Sequence, residues 1–172
     1  MKSIYAILFF LLIGVSFSIS ISRESLYELI GYLGYVGVFI LSLISSSSIL
    51  LPAPFYLPLI TIAAIKGLNP FVTILLASIG STIGEITSYL IGAGITAIKK
   101  WKLEKLKDLF NKYGELLIVL FSFLPFFDVV GILSGTTKYN LKRFIFFTFV
   151  GKVLKMALIY YSSLYGFKLI ID

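Results

Sequence analysis

The sequence predicts an all-α integral membrane protein, a helical bundle in which two re-entrant hairpins form an inverted repeat. Three observations carry that reading. Of 172 residues, 59% are hydrophobic and 13% charged, with a mean hydropathy of +1.03, whereas soluble domains carry about 25% charged residues. Two strongly apolar segments are broken by proline, around Pro54 and Pro125. The stretches that follow those prolines resemble each other at an offset of 71 residues. The period-two alternation of a membrane β-barrel is absent.

Composition also excludes chemistry. The chain has no cysteine and no histidine. Disulfides, thiol catalysis, histidine or cysteine metal sites and histidine-dependent hydrolysis are therefore ruled out. No credible nucleophile–base pair remains, so neither an enzyme nor a cofactor is implied. The net charge of +7 gathers near the predicted membrane ends. That pattern speaks for topology and anionic headgroups rather than nucleic acid.

Taken in order, Lys2 and the apolar run Ile4–Ile21, with Ser16, Ser18, Ser20 and Ser22 at its end, have two readings. Residues 1–22 are a secretory signal, or they are an extra transmembrane helix, since 18 residues rise about 27 Å. Residues 23–172 form the membrane domain. Leu26–Ile44 reads as a span in which Gly31, Gly34 and Gly37 allow close helix contact. Ser45–Pro58 then carries serines and Pro52, Pro54 and Pro58 between apolar flanks. A straight helix cannot run through it, because proline removes backbone donors that lipid does not replace. It is an ordinary loop or, as preferred here, the turn of a first re-entrant hairpin at about 45–66.

Gly67 suits a helix end, Asn69 a cap and Pro70 a first turn. The following span, to about Ile98, carries Ala77, Gly80, Ser81, Gly84, Ser88 and Gly92 as a small-residue stripe at helical spacing. Beside it lie Ser78, Thr82, Glu85 and Tyr89. Glu85 stands about 22 Å from the start, near the bilayer middle. Residues 99–113 are amphipathic, with Leu103, Leu106, Phe110 and Tyr113 on one face. They read as an interface helix that binds anionic lipid or marks the positive inside. A second hairpin at about 115–137 turns at Pro125 and carries Asp128 near its tip, with Gly135 in its packing. The last span, Leu141–Ile171, holds Gly151, Lys152 and Lys155, with Lys152 about 17 Å in.

At the 71-residue offset Pro54 meets Pro125, Phe55 meets Phe126, Asn69 meets Asn140, Gly80 meets Gly151 and Tyr89 meets Tyr160. One helix between the hairpins would make them enter from opposite faces, a plan shared by many transporters. The lysines of 99–112 with Lys138, Lys142 and Arg143 should be cytoplasmic, in a multi-pass protein of the cell membrane.

Four ionisable side chains fall in the predicted hydrocarbon zone: Glu85, Asp128, Lys152 and Lys155. Such charges are expensive and face a bundle interior or a wet cavity. They form a structural ion pair between the repeats, or a polar gate past which a lipid headgroup moves. Lys138, Lys142 and Arg143 sit at the mouth, where they receive phosphate or simply mark the cytoplasmic side.

The pattern Ser-Ser-x-x-x-Leu-Pro52-x-Pro54, Gly80-x-x-x-Gly84-Glu85-x-x-x-Tyr89-x-x-Gly92, Phe123-x-Pro125-x-x-Asp128, Gly135, Phe144 and Gly151-Lys152 resembles the DedA superfamily of SNARE-associated, or VTT-domain, membrane proteins, in its YqaA-like variety. The resemblance covers about residues 27 to 166. It implies two re-entrant hairpins and lipid movement across the bilayer: phospholipid scrambling or recycling of polyprenyl-phosphate carriers, linked in some relatives to protons. Glu85 and Asp128 then match the family's acidic sites and Lys152 its late basic site. The chain departs from many relatives at Phe55 and Tyr56, where they carry an acid, and at Leu124, Phe126 and Phe127, where they carry arginines. The competing functions are an ion-coupled carrier of small solutes and a non-transporting membrane scaffold.

Overall fold

A computed structural model describes residues 23–47, 56–94, 100–124 and 130–171. Among these the chain forms six helices: α1 (Arg23–Ser47), α2 (Tyr56–Ile65), α3 (Pro70–Gly94), α4 (Lys100–Phe123), α5 (Val130–Thr136) and α6 (Leu141–Ile171). Two of them, α3 and Leu141–Tyr165 of α6, are long and apolar enough to cross a membrane. Their outer surfaces are apolar, with Ile79, Ile83 and Leu90 on α3 and Phe146, Leu154 and Leu158 on α6 all exposed. Their polar residues are turned inward. Ser78, Ser81, Thr82, Glu85 and Ser88 of α3 are buried. A surface this apolar around a polar interior suits lipid rather than water.

Residues 1–22, the proline turns Pro52, Pro54 and Pro125, and Asp128 lie outside the described residues. Three differences from the sequence expectations are visible. Pro58 was expected at a turn but stands in the first turn of α2, where its missing N–H has no helical partner to lose. Residues 99–113 are not a separate interface helix, because α4 runs without a break from Lys100 through Gly114 to Phe123. Gly34 does not serve close packing. It has φ 53° and ψ −125°, which kinks α1, and open space lies around it.

The contacts of the first three helices recur among the last three. The packing of α1 on α3 is matched by that of α4 on α6. Likewise α2 reaches across to α6, α5 reaches across to α3, and the two long helices pack on each other. Individual residues repeat the exchange at the 71-residue offset. The Tyr89 hydroxyl donates to the Tyr139 carbonyl, 2.5 Å, just before α6 begins. The Tyr160 hydroxyl donates to the Leu68 carbonyl, just before α3 begins. Each tyrosine lies late in its own helix and touches the start of the other, so α3 and α6 are antiparallel. Similarly, Thr61 meets Ser163 at 3.0 Å, and Gly92 packs so closely on the Ile132 backbone that a Cβ would overlap it.

The joints are also alike. Asn69 caps α3, its side-chain oxygen accepting from Phe71 and Val72. Asn140 caps α6 by accepting from the Arg143 amide. Both short helices end in the same two-bond motif. In α2, Leu68 N–H donates to Ala63 and Gly67 N–H to Ala64. In α5, Tyr139 N–H donates to Ser134 and Lys138 N–H to Gly135. The motif puts its next-to-last residue in the left-handed region, usually as glycine. The first copy has Gly67 at φ 69°, and the second has Lys138 at φ 56°. A residue with a Cβ costs about 1 kcal/mol there.

Small residues set the closest approaches. A Cβ on Gly80 or Gly84 would meet the α1 backbone at Phe39, Leu43 and Ser46. One on Gly151 would meet Val119 of α4, and one on Gly135 would meet the Tyr89 carbonyl. The two larger core clusters lie around Val38, Ile60, Ala77, Met156 and Tyr160 and around Tyr89, Phe110, Ile118 and Phe144.

Candidate functional site

The centre of the molecule lies where α3 and α6 cross. Glu85 sits on the inward polar face of α3, one turn after Ser81 and Thr82. Lys152 follows Gly151, whose lack of a side chain seats α6 against Val119 and Ser122 of α4. The Lys152 ammonium lies 3.0 Å from Glu85 Oε2, and both side chains are fully buried. Removing two ions from water costs several kcal/mol each, and only close pairing offsets it.

Three neighbours complete the centre. Lys155 is on the same face of α6, one turn on, and is 2% exposed. Its ammonium donates to the Leu124 carbonyl, 3.3 Å, just past the end of α4. Gly131, at the start of α5, lies against Glu85. A Cβ there would come within 3.2 Å of Oε1 and within 2.7 Å of the Ser88 side chain. The end of α4 and the start of α5 thus both stand level with the ion pair. Around them are hydroxyls that sequence reading passed over. Ser122 packs on Gly151, Thr148 is one turn before Lys152, and Ser134 is one turn after Gly131. Each is buried and without a hydrogen-bond partner among the described residues, as is Ser78 of α3. Their signal was faint: Thr148, Lys152 and Lys155 share a helical face, but a lone threonine in an apolar helix carries no charge to betray it.

Of the four intramembrane charges singled out by sequence, the structure brings Glu85 and Lys152 together and turns Lys155 to the end of α4; Asp128 lies outside the described residues. Lys138, Lys142 and Arg143 stand apart from this centre, all exposed at the start of α6. Arg143 lies 3.6 Å from Glu115, with their side chains 65% and 52% exposed. No group of three or more metal-ligating acidic, histidine or cysteine side chains occurs among the described residues.

The chain matches the family model of the VTT domain over residues 51–164. It belongs to that family, the SNARE-associated or DedA group of membrane proteins. No curated protein and no solved structure matches it.

Proposed function

We propose that this member of the VTT-domain family moves lipid between the leaflets of the cell membrane, as a scramblase or flippase of phospholipid or polyprenyl-phosphate lipid. The observation that carries the reading is the fully buried Glu85–Lys152 pair, one ion from each of two antiparallel, membrane-length helices. Charges at mid-depth are expensive and serve transport pathways more often than architecture. A polar path there lowers the cost, several kcal/mol, of moving a charged headgroup through hydrocarbon. The hydroxyls of Ser122, Ser134, Thr148 and Ser78, without hydrogen-bond partners among the described residues, extend that polarity along the helices.

The same reading makes the two three-helix units an inverted repeat and each short helix one limb of a re-entrant hairpin. Three contacts support it. Gly114 of α4 packs on Tyr139, at the start of α6. Leu124 lies beside Lys155, and Gly131 beside Glu85. Tyr139 follows α5, so α4 and α5 each run between the Tyr139 end and the level of the pair. The first unit behaves alike. The Tyr35 hydroxyl accepts from the Asn69 amide at 2.9 Å, Thr87 donates to the Ser47 carbonyl at 3.2 Å, and α2 returns the chain to Asn69.

Reconstitution tests the function. Purified protein in liposomes should equilibrate fluorescently labelled phospholipid between leaflets faster than empty liposomes. Flux of a small solute without lipid movement would identify a solute carrier instead. Silence in both assays would leave a scaffold.

A further inference from the structure

We propose that the cleft between α4 and the α5–α6 turn binds a phosphate-bearing anion, either an anionic lipid headgroup at the membrane surface or free phosphate. Lys107 and Asn111 of α4 line it from one side, and Lys138, Asn140 and Arg143 from the other, around about 200 Å³. Three cations face it, and no carboxylate is among its lining residues. Glu115 lies in an adjoining hollow of about 390 Å³ that also holds Lys112. At 3.6 Å it is too far from Arg143 for a hydrogen bond. The guanidinium fork therefore keeps donors suited to phosphate oxygens. Lys142 is exposed outside the cleft.

The internal repeat supplies the stronger argument. The turn before α3 and the turn before α6 share their hydrogen bonds and their asparagine cap, yet differ in charge. Lys138, Lys142 and Arg143 have Gly67, Phe71 and Val72 as counterparts. Lys138 occupies the left-handed position that its counterpart fills with glycine. Strain of this kind gathers where a side chain has work to do. The lysine is held at the rim of the cleft, at the amino end of α6, whose dipole also favours an anion. The cleft lies where the apolar window Leu141–Tyr165 begins, which is headgroup depth in a bilayer. Among the described residues, the turn before α6 thus carries cations at three positions whose counterparts before α3 are uncharged, and we take that end as the loading side of the transport path.

The site deepens the lipid-transport reading and rests on it only for its purpose. Equilibrium binding is measured on the full chain in detergent micelles, where there is no bilayer to cross, so a failure of transport leaves the binding result intact. The probes are short-chain phosphatidylglycerol and inorganic phosphate. Lys107→Gln, Lys138→Gly and Arg143→Gln should each weaken binding about fivefold. Lys138→Gly should do so with an unchanged or raised melting temperature, because glycine relieves the turn it caps. Phosphatidylglycerol binding that inorganic phosphate does not displace identifies a lipid headgroup. Displacement at similar concentrations identifies the free anion. Both results support the site. Failure of both probes to bind, or parent-like binding by Lys138→Gly and Arg143→Gln, overturns it.

Discussion

Glu85–Lys152 and Glu115–Arg143 are the same chemistry in two places. Each joins one carboxylate to one cation, and each links a helix to α6. The first is 3.0 Å long and closed to solvent. The second is 3.6 Å long, with both side chains more than half exposed. In water an ion pair is worth about 0–1 kcal/mol. In a dry interior the same pair costs more to desolvate than an apolar pair of equal volume, yet breaking it is severe. The buried pair is therefore a poor way to hold two helices together and a good way to keep a polar centre in an apolar bundle. The surface pair does little for the fold and leaves its arginine available.

The comparison breaks first at the centre. Glu85→Ala or Lys152→Ala removes one ion of a fully buried pair, and each should cost about 3–5 kcal/mol. Thermal unfolding in detergent would register this as a large drop in melting temperature. An intermediate class lies between the two pairs. Tyr89→Phe and Tyr160→Phe each remove one hydroxyl that reaches a carbonyl of the opposite unit, for about 1 kcal/mol apiece. Equal losses would sharpen the equivalence of the two units, and a large inequality would weaken it. At the surface, a double-mutant cycle of Glu115→Gln and Arg143→Gln should give a coupling below about 1 kcal/mol that fades with added salt. A larger, salt-independent coupling would mean that this pair is shielded as the first one is.

Much of this was legible in the sequence because it is written locally. Charges within apolar windows announce themselves, so Glu85, Lys152 and Lys155 stood out, and helical spacing put the last two on one face. Asn69 could be read as a cap because capping needs only neighbours. What escaped reading depends on residues far apart in the chain. The hydroxyls of Tyr89 and Tyr160 find carbonyls 50 and 92 positions away. Lys138 takes a glycine's conformation, which no propensity predicts. Gly114 looked like a break between an interface helix and a hairpin, but it lies buried against the Tyr139 ring and α4 continues through it. Gly34 looked like a packing glycine and is a kink.

The most direct test separates what the buried pair does for stability from what it does for transport. Glu85→Leu combined with Lys152→Met removes both charges at similar volume, and should leave the melting temperature at or above that of the parent. In the liposome assay the same protein should equilibrate labelled lipid no faster than empty vesicles. A double variant that folds as well as the parent and moves lipid at the parental rate would contradict the central claim, because the charges would then have no part in the path.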